Sequence, residues 1–159
     1  MKEPQEQIGE LLRRKKLTLA VAESCTGGLV GAAVTSVCGS SDYFLGGIIS
    51  YDNRIKRDVL GVPRYDLDRY GAVSSQVVCA MAYGAARILK SDCSVSVSGI
   101  AGPGGGTEEK PVGLVYFGAF FDGQTQSCSF LFNGSREEIR AQSVKAALNF
   151  LIGIINKND

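Results

Sequence analysis

Apolar residues recur along the first third of the chain at two spacings that alternate from one segment to the next. Ile8, Leu11 and Leu12 follow a helical spacing, which predicts a first helix that ends near Lys15-Lys16. Residues 17–22 form a short apolar run typical of a buried strand. Residues 29–37 are small and apolar, which predicts a buried helix that ends at the Gly-Ser-Ser-Asp segment.

The middle of the chain predicts another strand and two further helices. The apolar run at 46–51 favours a strand, and Asp52-Asn53 offers a cap for a short helix over 54–60 that Gly61 ends. Ser74 can cap a longer helix over 75–89.

The last third predicts a strand, a hairpin and a final helix. Residues 94–98 alternate strictly, as a strand does, and the strands at 114–121 and 125–132 flank an Asp122-Gly123 turn. Ser135 can cap a helix over 136–155. Helices alternate with strands early and a hairpin comes late, so we expect one domain over residues 1–159, a three-layer α/β/α sandwich with a mixed β-sheet.

Composition narrows the classes of function. The 159 residues suit one domain, and the formal net charge is +1. That balance argues against broad capture of nucleic acid, and the one basic cluster, at 13–16, is typical of a solvated helix end. We find no signal-peptide pattern and no apolar run of membrane-spanning length, so we expect a soluble cytoplasmic protein with no membrane partner.

The five cysteines point to a reduced intracellular protein with small buried thiols. Their number is odd and no two form a C-x-x-C pair. This pattern favours neither a disulfide scaffold nor a zinc site, and we expect no bound metal.

The segment AESCTGG, residues 22–28, is the first candidate for chemistry. A strand that turns into a helix here would expose backbone N–H groups able to hold an anion or an oxyanion. The alternative is that Ser24 or Thr26 only caps the helix.

Ser24 and Cys25 compete as nucleophiles, and the chain contains no histidine to serve either of them. A lysine can act as base when burial lowers its pKa. Lys56 and Lys110 stand in informative settings, and strand ends at one edge of a parallel sheet would bring the start of the Lys56 helix beside Ser24. The alternative for Lys56 is an ordinary exposed helix lysine.

Two later segments could bind a substrate. The glycine-rich loop over 98–113 suits a lid or a close-fitting binding loop, although it could be a plain surface connection. Arg136 and Arg140 lie four apart on one helix face, where they either bind phosphate or form a solvated face with neighbouring glutamates.

Four motifs together resemble the CinA C-terminal domain family: AESCTGG, GSSDYFLGGIISYDNRIKRDVLGV, YGAVSSQVV and SVSGIAGPGGGTEEKPVGLVYF. The resemblance covers about residues 18–142 and is to the free-standing form of the domain. It implies deamidation of nicotinamide mononucleotide (NMN) to nicotinic acid mononucleotide and ammonia, in pyridine nucleotide salvage. The implied enzyme is a cytoplasmic homo-oligomer that uses a Ser/Lys pair with no cofactor.

The resemblance also assigns roles to single residues. Ser24 matches the family's nucleophile and Lys56 its base, and Ser41 matches a serine that supports the pair. The implied substrate-binding residues are Cys25, Thr26, Gly27, Tyr51, Ser98, Gly99 and Arg140. Arg136 is an alternative to Arg140, and Ser98 stands where many relatives have threonine.

Two other functions remain open from the sequence. One is a non-catalytic module that binds a pyridine nucleotide or a partner protein, with a regulatory role linked to competence or DNA damage. The other is an amidase that uses Cys25 as its nucleophile.

Overall fold

The computed structural model of the chain describes residues 1–158. Along these residues the elements are α1 (Pro4–Lys15), β1 (Leu19–Glu23), α2 (Leu29–Thr35), a 3-10 turn (Ser40–Asp42), β2 (Phe44–Ile49), α3 (Asn53–Asp58), α4 (Arg64–Tyr70), α5 (Ser75–Leu89), β3 (Cys93–Gly99), β4 (Leu114–Phe121), β5 (Gln124–Leu131) and α6 (Arg136–Lys157). No helix of this described part is long and apolar enough to cross a membrane.

The five strands form one mixed sheet in the order β2-β1-β3-β4-β5. β1 pairs in parallel with both β2 and β3, whereas β4 and β5 are antiparallel neighbours. Asp122 and Gly123 join β4 to β5 with φ values of 53° and 75°, as a two-residue hairpin turn requires. The structure therefore confirms the predicted three-layer fold and its mixed sheet.

Helices cover both faces of the sheet, so the central strands are buried on both sides. Leu19 and Val21 of β1 pack into the cluster that contains residues of α1, α2 and α6. Ala20 and Ala22 point the other way, into the cluster of α5. Because helices cover both faces, a ligand can reach the sheet at the edge formed by the carboxyl ends of β1, β2 and β3.

The alternation of β3 correctly predicts a strand, but its serines do not face solvent. Ser94 Oγ donates to the Ala82 carbonyl at 2.5 Å, and Ser96 Oγ donates to the Val78 carbonyl at 2.6 Å. Both acceptors lie on α5, and both serines are fully buried. The hydrogen bonds satisfy hydroxyls that burial would otherwise leave without water.

The predicted caps of three helices are present. Asp52 accepts from the Arg54 amide at 2.7 Å, Ser74 from the Val77 amide and Ser135 from the Glu138 amide. The sequence pattern does not predict α4, because Leu67 is its one aliphatic residue. Its signals are Pro63 before the helix and Gly71, with a φ of 77°, after it.

The described cysteines are all free, and they differ in exposure. Cys25 and Cys93 are buried, Cys79 and Cys128 are partly buried, and Cys38 is exposed. The expectation of small buried thiols is therefore wrong for Cys38.

Candidate active site

Ser24 lies at the point where β1 ends, on the edge shared by the carboxyl ends of the parallel strands. Its amide donates to the Val97 carbonyl of β3 at 3.0 Å, which ties the start of the bend to the neighbouring strand. Only 8% of the residue is exposed. The order of strand, bend and helix thus holds the Ser24 hydroxyl at the carboxyl edge of the sheet, where it is largely buried.

Lys56 reaches Ser24 from α3, the short helix that Asp52 caps. Its Nζ lies 3.0 Å from Ser24 Oγ and donates to the carbonyls of Ser50, at 2.7 Å, and Tyr51, at 3.1 Å. The side chain is 1% exposed, so Lys56 is not a solvated helix lysine. The two residues that the sequence analysis pairs as nucleophile and base lie in hydrogen-bond contact.

Burial changes the acidity of Lys56. It lowers the pKa of the ammonium from its ordinary 10.5 to about 8, and the neighbouring Cys25 and Asp52 offset part of that change. Desolvation disfavours the charged form of an amine, which explains the direction. A lysine that releases its proton near pH 8 can accept the proton of a serine hydroxyl.

Cys25 lies in an environment that keeps its thiol protonated. Burial raises the pKa of the thiol from 9.0 to about 11, although hydrogen bonds from the backbone of Cys25 and Gly99, and the charges of Arg140 and Lys56, offset part of that rise. The thiolate is the reactive form of cysteine. The side chain therefore lacks the acidity that the cysteine-amidase alternative needs.

A cavity of about 250 Å³ opens beside the Ser24–Lys56 pair. Its lining contains Ser24, Cys25, Tyr51, Asn53, Lys56, Ala72, Val73, Ser98, Gly99, Ile100, Ala101, Gly102, Gly104, Gly105 and Arg136. It brings together the predicted Tyr51, Ser98 and Gly99, while Asn53 and the 72–73 segment have no counterpart among the predicted residues. Its lining carries two cationic side chains and no carboxylate, so the cavity favours an anionic ligand.

Ser98 presents an available hydroxyl to this cavity. The residue is 1% exposed, and its Oγ makes no hydrogen bond to any other group within residues 1–158. A serine hydroxyl in a cavity lining can both donate and accept a hydrogen bond, so Ser98 can bond directly to a ligand.

The prediction that the α2 N-terminus receives a negative charge from the substrate needs correction. The carboxylate of Glu23 already lies there: Oε1 accepts from Thr26 Oγ1, Gly28 N and Val30 N at 2.6, 3.1 and 2.9 Å, and Oε2 from Gly31 N at 2.9 Å. Thr26 is fully buried, and its hydroxyl is directed at Glu23. The lining of the cavity contains neither Thr26 nor Gly27, which the resemblance assigns to substrate binding.

The two arginines of α6 have different positions. Arg136 lines the cavity and donates to the Gly102 carbonyl at 2.7 Å and to Tyr51 Oη at 3.3 Å. Arg140 instead donates to the carbonyls of Cys25, at 3.0 Å, and Thr26, at 3.1 Å. Arg140 is not among the residues that line the cavity, so the assignment of Arg140 to direct substrate binding is corrected in favour of Arg136, which does line it.

Ser41 and Lys110 do not reach Ser24. Ser41 is exposed in the 3-10 turn that precedes β2, and so it lies at the amino end of that strand, opposite the cavity. Its assignment to the catalytic group is corrected for this reason. Lys110 donates to the Tyr70 carbonyl instead, which leaves Lys56 as the lysine beside the serine.

A larger hollow exists away from this edge. It measures about 560 Å³, lies between β5 and α6, and is mainly apolar, with Phe130, Phe132 and Phe150 in its lining. It contains none of the residues of the Ser24–Lys56 cavity. Residues 1–158 also hold no group of three or more His, Cys, Asp or Glu side chains placed to bind a metal ion.

The fold and the site together define a single-domain α/β protein with a buried serine–lysine pair at the carboxyl edge of a mixed sheet. The sequence profile described as "CinA C-terminal domain" matches residues 1–155. The chain belongs to this family.

Relatives and solved structures agree with that membership. A putative competence-damage inducible protein of Desulforudis audaxviator is 49% identical over 97% of this chain and 37% of its own length. A CinA-like protein of Rippkaea orientalis is 52% identical over 91% of this chain and 35% of its own length. The chain thus spans about a third of the length of these curated relatives.

The solved structures are similar over nearly their whole length. The competence/damage inducible protein CihA of Agrobacterium tumefaciens superposes with a TM-score of 0.92 at 40% identity, covering 96% of this chain and 93% of that one. A CinA superfamily protein of Escherichia coli gives a TM-score of 0.89 at 32% identity, covering 92% and 85%.

Proposed function

We propose that this protein is a nicotinamide-nucleotide amidohydrolase that converts NMN to nicotinic acid mononucleotide and ammonia with a Ser24/Lys56 pair, in pyridine nucleotide salvage. The observation that carries the proposal is the 3.0 Å contact between a buried Lys56 Nζ and Ser24 Oγ in a chain without histidine. The substrate class comes from the family resemblance of the motifs around both residues.

In the proposed reaction Lys56 acts first as base and then as acid. Its neutral amine takes the hydroxyl proton of Ser24 while Oγ bonds to the amide carbon, and the resulting ammonium gives that proton to the amide nitrogen, which leaves as ammonia when the C–N bond breaks. A water molecule then hydrolyses the ester on Ser24, with Lys56 again as base. The carbonyls of Ser50 and Tyr51 hold Nζ in place through both steps.

The backbone amide of Cys25 is the donor best placed for the oxyanion. Cys25 lines the cavity next to Ser24, and its amide makes no hydrogen bond to another residue in the described part of the chain. A donor fixed in a site that excludes water stabilises developing negative charge at little reorganisation cost. The free hydroxyl of Ser98 adds a second polar group to the same cavity.

The deciding experiment measures ammonia released from NMN, nicotinamide riboside and nicotinamide by the purified protein. We expect turnover of NMN that depends on Ser24. A non-catalytic role is the second candidate, since the relatives' names speak of competence and damage and state no reaction. Thermal stabilisation by NMN without release of ammonia would favour that role instead.

The rate should rise with pH through the pKa of Lys56. Because the pKa of the folded protein lies near 8, kcat/KM should fall about tenfold for each pH unit below that value and level off above it. Initial rates between pH 6 and pH 10 test this, with unfolding followed in parallel. A rate independent of pH between 6 and 8 would contradict Lys56 as the base.

Arg136 should favour substrates that carry a phosphate. Its guanidinium lines the cavity without a carboxylate partner among the described side chains. We expect Arg136→Gln to raise KM for NMN by about 10-fold or more, the order expected for one charge-assisted hydrogen bond, with a much smaller change for the riboside. Steady-state kinetics on both substrates measures the split, and equal changes in both KM values would contradict phosphate recognition.

A further inference from the structure

Glu23 is a buried carboxylate with no cationic partner. The residue is 2% exposed, and its side chain forms no ion pair with Lys or Arg within residues 1–158. Four donors meet its two oxygens instead, and three of them are amides of the N-cap and first turn of α2. A buried charge is retained only where its hydrogen bonds are well satisfied, so this geometry holds the carboxylate firmly.

The main chain of Glu23 connects both members of the Ser24–Lys56 pair. Its carbonyl accepts from the Ser50 amide at 2.7 Å, and the Ser50 carbonyl accepts from Lys56 Nζ at 2.7 Å. The next residue is Ser24 itself, whose amide is bound to Val97. A shift of the Glu23 side chain would therefore move the serine and the lysine relative to each other.

The bend over residues 24–28 is gripped from two sides. The Gly28 amide and the Thr26 hydroxyl donate to the Glu23 carboxylate at the end of β1, and the carbonyls of Cys25 and Thr26 accept from Arg140 of α6. The Gly27 amide is closed back onto the Ser24 carbonyl at 3.1 Å. These contacts leave the Cys25 amide, beside Ser24, without a bond to another described residue.

We propose that Glu23 is a positioning residue of the Ser24–Lys56 site. By binding the amides of Gly28, Val30 and Gly31 and the Thr26 hydroxyl, its carboxylate sets the bend so that Ser24 Oγ faces Lys56 and the Cys25 amide remains available to the substrate's oxyanion. This inference rests on the proposed amidohydrolase function, but it concerns a residue that touches neither substrate nor the reacting atoms.

The test is Glu23→Gln, which keeps the shape of the side chain. Its carbonyl oxygen can replace Oε1, but its NH₂ group would then face the Gly31 amide, donor against donor. We expect kcat for NMN to fall about 10- to 100-fold, with KM changed less than about threefold, because misplacement of a catalytic group affects the transition state most. Thr26→Val removes one of the four donors and should give a smaller fall in kcat.

Asp92→Ala is the control for loss of stability alone. Asp92 also accepts two hydrogen bonds across the sheet, from Thr18 N and Thr18 Oγ1 at 2.8 Å each, but it lies at the opposite edge, before β3. It should lower the melting temperature and leave kcat within about twofold. The proposal is overturned if Glu23→Gln keeps kcat within twofold, or if kcat falls in Asp92→Ala as much as it does in Glu23→Gln.

A second readout does not need activity. The titration of Lys56, followed by NMR of its side chain, should move upward from about 8 in Glu23→Gln, because a displaced bend admits water to Nζ. If the native protein releases no ammonia from any amide, the proposed function fails. The titration of Lys56 is then the remaining test of whether Glu23 positions the Ser24–Lys56 pair. An unchanged Lys56 titration would then overturn the positioning role.

Discussion

Ser24→Ala is expected to reduce the release of ammonia from NMN by about 10⁴-fold or more, the order of effect seen when a nucleophile is removed from a serine hydrolase. The substitution removes one oxygen that is 3.0 Å from Lys56 Nζ and leaves the backbone bond to Val97 in place. The fold should therefore be kept, and the melting temperature should change by a few degrees at most. Ammonia assays and thermal unfolding of the same preparation measure both quantities.

Lys56→Met should have an effect of similar size, because Lys56 Nζ is the only side-chain group hydrogen-bonded to Ser24 Oγ within residues 1–158. Methionine has nearly the length of lysine and lacks the amine, so the burial of the side chain is retained. Lys56→Arg should also be inactive, since a guanidinium does not lose its proton in proteins. Substantial turnover in either variant would refute the Ser/Lys assignment.

Cys25→Ala separates the two possible nucleophiles. The backbone amide of residue 25 is kept, and the thiol it removes has its pKa raised to about 11. We expect activity within about fivefold of the native protein, since loss of a non-reacting side chain costs little transition-state stabilisation. Inactive Cys25→Ala together with active Ser24→Ala would establish the cysteine mechanism instead.

The sequence predicts the pairing of Ser24 with Lys56 because topology restricts where strand ends lie. Ser24 follows β1, and Lys56 follows β2 by one short capped helix, so parallel pairing of the two strands brings them to one edge. The same reasoning, applied to Ser41, would have placed it at the other edge, because it precedes β2. Ser41 is assigned to the site by the motif resemblance alone, and its place before β2 contradicts that assignment.

Other features of the site had no signal in the sequence. Arg136 and Arg140 lie one helical turn apart on the same face of α6, and which of them reaches the cavity depends on where α6 lies along its axis relative to the sheet. Nothing in the sequence around Glu23 indicates that its carboxylate is buried, because that burial requires the following bend and the start of α2 to fold back over it. Tertiary packing determines both the position of the α6 arginines and the burial of Glu23. A local sequence pattern does not encode such packing.

The packing of α5 against the segment that follows α3, the helix of Lys56, is expected to depend on Gly84. Gly84 lies against the chain after α3, and an added Cβ would overlap the carbonyl oxygen and carbon of Leu60. Leu60 is 1% exposed in the core on this face, and the Val62 amide donates to the Lys56 carbonyl at 3.0 Å. Displacement of Leu60 would therefore reach the segment that holds Lys56.

Gly84→Ala should lower the free energy of unfolding by about 3 kcal/mol, because a rigid backbone atom, and not a flexible side chain, stands in the way. For a chain of this size that corresponds to a fall in melting temperature of roughly 10 °C. The matched control is Gly153→Ala in α6, where an added Cβ meets nothing within 4 Å. That variant should gain up to about 1 kcal/mol from the higher helix propensity of alanine. Chemical unfolding of both variants gives the comparison, and a gain in stability for both would show that α5 has room to move away from Leu60.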